Sequence, residues 1–403
     1  MNRTLYLLAE DFSSDSKECF FEKELPHHCA AFEKVYVLSL YPNTNKVLQF
    51  SAPNLEVLTF DYFEPCNRIR VFSKYLFRIL GILLFEWRHT HRRSFYLRNF
   101  GKLLNLLVLQ FSAAERLERF IAKDHHEGSV FYTYWFKQWT AALSIIKQKY
   151  PQLRFVSRVH GGDYDEDQLK TTLPFRYFQL KQIHHVFPVS DYGRHYLIAT
   201  FKTDASKVTT SHLGLDVLPQ PFHLKSDRLV IVSCSAVIPL KRVHLIVEIL
   251  KNMEQPATWV HFGAGELFEE VKRKAGELKH TVEFKGHVPN HEFISYLKSH
   301  PVSLFINVSE SEGIPVSMME AISQGIPLIG TKVCGVPEIV TSKTGLLLPV
   351  DFNPTEVAES ITEMHRSQVI YSEAYRMGIV RFYKEYFFAE KNYRDLAALL
   401  KKI

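Results

Sequence analysis

Short apolar runs alternate along the chain with longer stretches whose apolar residues recur at helical spacing. Residues 4–9 (TLYLLA), 35–40 and 55–60 read as the first three strands, with a polar loop at 10–17 and a helix over 19–32 between the first two. Val71, Tyr75, Leu76, Ile79, Leu80 and Leu83 repeat as on a helix, an apolar run closes at Trp87, and 95–120 continues as a Leu-rich helix. Strands follow at 130–135, 155–159, 185–190 and 208–214, with helices over 138–149 and from Asp191, read as a cap, to 201. Residues 215–225, with Pro219 and Pro221 and little periodicity, read as a linker. The pattern then restarts with a strand at 229–235 and a helix that Lys241 and Arg242 open after Pro239. Further strands are expected at 259–262, 282–284, 302–308, 327–331 and 345–348, and further helices at 290–299 (capped by Asn290), 355–367 and 383–402. Strands that alternate with helices in both halves predict parallel sheets covered on both faces. The fold class is therefore α/β, with two doubly wound domains expected to face across a cleft and to bind ligand at the carboxyl ends of their strands.

The most informative stretch is 307–327, NVSESEGIPVSMMEAISQGIP. It reads as the end of a strand, an acidic loop, a short helix, a turn and the next strand. Pro315 stands where a first helical residue belongs, because its missing N–H costs nothing there and its φ is already helical. Gly325, Ile326 and Pro327 stop the helix. The free N–H groups of Val316 and Ser317, with the positive end of the helix dipole, make a site suited to phosphate. Glu312 lies just before this helix and Glu320 about one and a half turns into it. Carboxylates repel phosphate but suit hydroxyls, which donate hydrogen bonds to them. A ligand with phosphates in the middle and a polyol at each end fits: a nucleotide diphosphate-sugar. The alternative is an ordinary strand-to-helix turn carrying exposed acids.

Glu312-Gly313-x-Pro315, Glu320-Ala321 and Gly325-x-Pro327 together resemble the E-x7-E signature of family-4 retaining glycosyltransferases, of the type that builds bacterial cell-surface polysaccharide. That family has the GT-B fold, two Rossmann-like domains with a C-terminal helix crossing back to the first. The resemblance is fullest over about 229–350, where Gly335-Val336-Pro337-Glu338 is similar to the family's Gly-x-Pro-Glu. Gly286-His287-Val288-Pro289 is similar to the loop that frames the base, and Gly263-Ala264-Gly265 suits close approach to a nucleotide. Lys241 matches the family's lysine, whereas the family's arginine position falls on Ala236, a departure for which Arg242 is the candidate replacement. In the first half, His160-Gly161-Gly162-Asp163 follows a strand, where open α/β sheets bind ligands. It resembles the family's His-Gly-x-Asp, whose histidine lies beside the transferred sugar.

The resemblance implies a hexosyltransferase-like, metal-independent enzyme that needs no cofactor and takes a UDP- or GDP-sugar as donor. Lys241, Arg242 and the helix start at Pro315, Val316 and Ser317 would meet the diphosphate. Glu320 would take the ribose hydroxyls, and Glu312 with the backbone of Gly313 and Ile314 the sugar hydroxyls. Gly263 and Val288 would border the nucleotide. His160 would orient the sugar, with Gly161, Gly162 and Asp163 on the acceptor side. The expected organisation is 1–214 as acceptor-side domain, 215–228 as linker, 229–382 as nucleotide-sugar domain and 383–403 as the returning helix. Two alternatives stay open: a non-catalytic GT-B partner in a glycan-assembly complex, and another GT-B enzyme such as a sugar-nucleotide epimerase or glycan phosphorylase.

Composition narrows the setting. The 403 residues are 46% hydrophobic and 23% charged, as in globular proteins with sizeable cores. No signal peptide and no membrane span is expected, and the five scattered cysteines suggest reduced thiols in the cytoplasm rather than a zinc site. The net charge of +6 is unevenly placed: 67–103 holds nine Lys/Arg and one acid, Glu86, or +8, which leaves −2 elsewhere. Combined with Phe77, Phe85 and Trp87, this segment suits an anionic membrane surface. The alternative is a pair of core helices with a solvated basic face. The partners expected are therefore a nucleotide-sugar and a glycan, lipid-linked at the cytoplasmic membrane face, and no nucleic acid.

Overall fold

The structure, a computed structural model, describes residues 4–10, 19–41, 48, 50–124, 128–219 and 228–403. Most of the expected polar loop, 11–17, and most of the expected linker, 220–227, lie outside these residues. The chain divides into two compact units, Met1–Gly214 with Ala389–Ile403, and Leu215–Phe388.

The first unit is built on β1 (Thr4–Ala9), β2 (Lys34–Ser39), β3 (Leu55–Leu58), β4 (Val130–Thr133), β5 (Arg154–Val159) and β6 (His185–Pro188). They form one parallel sheet in the order β3-β2-β1-β4-β5-β6. β1 is buried along its whole length, the signature of a strand covered on both faces. The second unit repeats the plan with β7 (Leu229–Cys234), β8 (Ala257–Phe262), β9 (Thr281–Gly286), β10 (Leu304–Asn307), β11 (Leu328–Thr331) and β12 (Gly345–Leu348). Its order is β12-β11-β10-β7-β8-β9, so each sheet reverses direction between its first and fourth strands. Each unit has its own apolar core, around Leu8, Leu107, Phe131 and Phe155 in the first and around Ile231, Trp259, Leu304 and Ile329 in the second.

Several elements differ from the sequence reading. The helix expected over 95–120 is two, Arg93–Arg98 and Phe100–Asp124, parted at Asn99. Residues 208–214 are no strand; they run beside β6 with two backbone bonds, Thr209 to Val186 and Ser211 to Pro188. The cap of the Asp191–Phe201 helix is Ser190, whose hydroxyl accepts from Gly193 N–H. The last helix is also two, Glu373–Tyr386 and Ala389–Leu400, because Phe387 turns its carbonyl to the N–H of Leu215 and the backbone leaves the helix there. The final helix belongs to the first unit, where Tyr393 exchanges hydrogen bonds with the backbone of Gly214 and Asn392 donates to Leu213.

The basic segment is anchored by an acid. Glu86, 1% exposed, sits on the inner face of the Arg68–His89 helix and accepts from Phe178 N–H at 2.5 Å and from the Tyr96 hydroxyl at 3.0 Å. Burial pushes its carboxyl up to about 7, although both donors and Arg176 favour the anion. A carboxyl whose pKa is raised on folding stabilises the fold at low pH, and that contribution is lost as pH rises through the folded value. The melting temperature is expected to fall between pH 5 and pH 8 through Glu86, and Glu86→Gln to flatten that slope. An unchanged slope in the variant would exclude Glu86 as its source.

Candidate functional site

The second sheet reverses direction between β7 and β10, so the loops leaving their carboxyl ends diverge at the place where open α/β sheets take ligands. Leu240 and Glu310 join the two loops through a backbone bond of 2.8 Å. Across them Lys241 Nζ donates to Glu312 Oε1 at 2.6 Å. The same oxygen accepts from Ser309 Oγ at 2.8 Å and Asn307 Nδ2 at 3.2 Å. Among the described residues no donor reaches Oε2. An ammonium has three N–H bonds, so Lys241 keeps two beyond the one it gives to Glu312.

Lys241 does not begin a helix. It ends a 3-10 turn, Pro239–Lys241, and Arg242 then takes a left-handed conformation (φ 48°) before the helix His244–Lys251. The Arg242 guanidinium explains the bend. Its Nε donates to Val308 carbonyl at 2.8 Å and its Nη1 to Val350 carbonyl at 3.0 Å, bracing the ends of β10 and β12. Burial lowers its pKa. With two nitrogens committed to carbonyls, Arg242 shapes the loop that presents Lys241, and among the described residues its Nη2 has no hydrogen-bond partner.

Pro315 is the cap of the next helix rather than its first residue: Val316–Ser323 is helical, and Pro315 is extended with ψ 127°. Its carbonyl accepts from Met318 and Met319, which leaves the N–H groups of Val316 and Ser317 ahead of the first intrahelical bond. Ser317 Oγ donates to Cys234 carbonyl, tying the helix start to the end of β7. Glu320 is 3% exposed and accepts from Asn290 Nδ2 at 2.6 Å. Asn290 therefore serves Glu320 rather than capping its own helix, where Pro289 is the cap. Gly335 packs on the backbone of Gly313 and the side chain of Ile314, where a Cβ would meet the Gly313 carbonyl at 2.8 Å. Gly263 (φ +133°) is required by a nearer neighbour than a nucleotide, since a Cβ there would lie 1.9 Å from the Ser235 carbonyl. Val288 is half-buried in the loop after β9.

In the first unit His160 follows β5 and rests against Trp135, ring centroids 4.1 Å apart. Its Nε2 lies 3.1 Å from the Tyr134 carbonyl, so Nε2 carries the hydrogen and Nδ1 keeps its lone pair. Burial, with Arg158 and Lys137 nearby, lowers its pKa to about 3. The imidazole is thus neutral at physiological pH. Asp163, expected on the acceptor side, is fully buried and accepts from the backbone N–H groups of His160 and Phe136. It positions His160. Gly162 is exposed, with open space where a side chain would project; Gly161 is half-buried.

Asn290, Asn307 and Ser309 escaped the sequence reading. Asn307 and Ser309 had a signal, as the first polar residues after an apolar strand and within five positions of Glu312. Asn290 had none, being thirty residues from Glu320.

Residues 216–378 match the family model described as Glycosyl transferases group 1. That span takes in Lys241, Glu312 and Glu320 and lies within the second unit. The chain is 24% identical to the amylovoran biosynthesis glycosyltransferase AmsK of Erwinia amylovora over 355 residues, 83% of this chain and 84% of that one. Its structure is similar to that of HepE of Anabaena in complex with UDP-glucose, with TM-score 0.65 at 13% identity over 99% of this chain and 100% of that one. That second likeness is one of fold, and the fold is GT-B. The chain has the GT-B fold, and its second unit carries a Glycosyl transferases group 1 match. It is also 27% identical to the putative colanic acid biosynthesis glycosyltransferase WcaL of Escherichia coli, over 47% of this chain and 50% of that one.

The basic segment of the first unit sorts into cations with and without an acidic partner. Arg92 binds Glu166 and Asp167, Lys74 binds Glu115, and Arg78 donates to the Ile145 carbonyl and Gln148. Arg68, Arg70, Arg88, Arg93, Arg98 and Lys102 have no acidic partner among the described residues. Among those residues no helix is long and apolar enough to cross a membrane.

Proposed function

We propose that the chain transfers a sugar, with retention at the anomeric carbon, from a nucleotide-sugar to a hydroxyl of a glycan acceptor in cell-surface polysaccharide assembly. The observation that carries this reading is the meeting of Lys241, Glu312 and an unpaired helix start at the reversal point of the second sheet. The polysaccharide setting is supported by the names of AmsK and WcaL, and a UDP-sugar donor by the ligand of HepE. The residues of the E-x7-E signature support family 4 and retention.

In the reaction the bond from the anomeric carbon to the diphosphate oxygen breaks while the acceptor oxygen bonds the same face. The acceptor proton passes to the departing phosphate, so no side chain is needed as base. Negative charge grows on the diphosphate, where the two remaining N–H bonds of Lys241 and the N–H groups of Val316 and Ser317 stabilise it. Glu312 Oε2 accepts from a sugar hydroxyl. Glu320 accepts from the ribose, positioned by Asn290. The neutral His160 offers Nδ1 to a sugar hydroxyl. No metal or cofactor is assigned a role. The acceptor is proposed to be lipid-linked and reached at the anionic cytoplasmic face of a membrane, a reading supported by the unpaired cations of the first unit.

A panel of UDP- and GDP-sugars tests this, with nucleotide release as readout. One donor is expected to be hydrolysed or transferred, and Glu320→Ala to weaken its binding by about 10- to 100-fold through lost hydrogen bonds to a charged group. Equal activity in the variant would remove Glu320 from the site. Absence of binding to every donor would favour a non-catalytic partner with this fold.

A further inference from the structure

We propose that a groove on the first unit, between the Arg68–His89 helix, the Arg93–Arg98 helix and the start of the Phe100–Asp124 helix, seats a hydrocarbon chain of an anionic membrane lipid. The inference rests on the membrane reading above and adds a defined apolar site to it. The Arg68–His89 helix buries one face through Val71, Ile79, Ile82, Leu83 and Glu86. At ~100° per residue, Ile69, Phe77, Leu80, Leu84 and Trp87 fall within about 80° of arc on another face. That second stripe is left in solvent: Phe77 is 87% and Ile69 80% exposed.

The groove opens at the end of this stripe. Leu80, Leu84, Trp87, Tyr96, Leu97 and Phe100 line about 210 Å³. Small-molecule sites usually measure about 300–1,000 Å³ and carry a few polar groups that orient the ligand. This one is smaller and offers none from Tyr96, whose hydroxyl is already engaged with Glu86 and the N–H of Phe175. Its lining suits an apolar chain better than a sugar or nucleotide. Leu97 and Phe100 are nonetheless 68% and 49% exposed.

The rim decides which apolar partner fits. Arg88, Arg93 and Arg98 stand on the groove's own helices and Lys102 two residues beyond Phe100, all without acidic partners among the described residues. Arg93 lies over the Trp87 ring at 5.4 Å. Tryptophan suits the boundary between hydrocarbon and water because its ring is apolar and its N–H polar. Cations at the rim and hydrocarbon-loving side chains within complement a lipid with a phosphate headgroup.

The test uses the full chain and vesicles of phosphatidylglycerol with phosphatidylcholine, measured by sedimentation and by Trp87 emission. Bromine on the phosphatidylglycerol acyl chains is expected to quench Trp87, with Trp87→Phe giving the background from the other tryptophans. Leu97→Asp and Phe100→Asp, at exposed positions, are each expected to reduce partitioning by about tenfold or more. Arg88→Gln with Arg93→Gln and Arg98→Gln is expected to reduce it in a salt-sensitive way. Vesicle binding without bromine quenching, unaffected by Leu97→Asp, would overturn the groove and leave the membrane reading standing. No vesicle binding by the wild-type chain would overturn both. A dimer in solution that Leu97→Asp dissociates, with no vesicle binding, would assign the groove to a second copy instead.

Discussion

Changing Lys241 to alanine is expected to lower turnover by about 10²–10³-fold, the size of loss that follows removal of one preorganised donor to a developing oxyanion. The lysine stands at the switch point of the sheet, 20% exposed and held at 2.6 Å from Glu312. In the proposed reaction its two spare N–H bonds meet the departing diphosphate as its charge grows. The same contact raises a rival account, in which Lys241 only holds Glu312 in place. Affinities for UDP and GDP separate the two, because these nucleotides carry the diphosphate and no sugar. If Lys241 meets phosphate, Lys241→Ala weakens nucleotide diphosphate binding, and Glu312→Gln weakens only binding of the nucleotide-sugar. If Lys241 merely positions Glu312, both variants bind the free nucleotides as wild type does. Calorimetric titration of the three proteins decides between them.

Much of this site could be read from sequence because its parts are local. Glu312, Pro315 and Glu320 lie within nine residues, and one helix start relates them. The two doubly wound sheets were equally legible, since apolar strands covered on both faces leave continuous runs such as 4–9. What spacing cannot convey is where a long side chain turns. Arg242 neighbours Lys241 and looked like a second cation, yet its guanidinium reaches carbonyls at 308 and 350. Asp163 looked like an acceptor-side acid, yet burial and two backbone N–H groups make it a brace for His160. Residues 208–214 are apolar and polar in the proportions of a strand, but most of their hydrogen bonds go elsewhere: Leu213 and Gly214 are taken by Asn392 and Tyr393 of the final helix. Such pairings join positions far apart in the chain, and no periodicity marks them.

The largest stability effect is expected from the same kind of pairing. Glu24 and Arg158, both 0% exposed, lie 3.0 Å apart in the first unit. Tyr132 accepts from Arg158 Nε and donates to Glu24, His28 stands 3.3 Å from the same carboxylate, and Arg158 also donates to the Ser211 carbonyl. Arg158→Met is expected to destabilise this unit by about 3–5 kcal/mol, because it leaves a carboxylate buried without its cation. Glu24→Leu combined with Arg158→Met removes both charges and should recover most of that loss. Urea unfolding followed by amide exchange in β4 and β5 reports the unit by itself. A double variant as unstable as the single would show that packing, not the stranded charge, sets the cost. The network also reaches the chemistry. Arg158 stands two residues before His160 on β5, and after burial its charge is the next cause of the depressed imidazole pKa. In the double variant that pKa should rise from about 3 while remaining below its ordinary value, since burial persists. A ring-proton titration by NMR that finds no rise would separate His160 from Arg158 and leave burial and Lys137 as the causes of its neutrality.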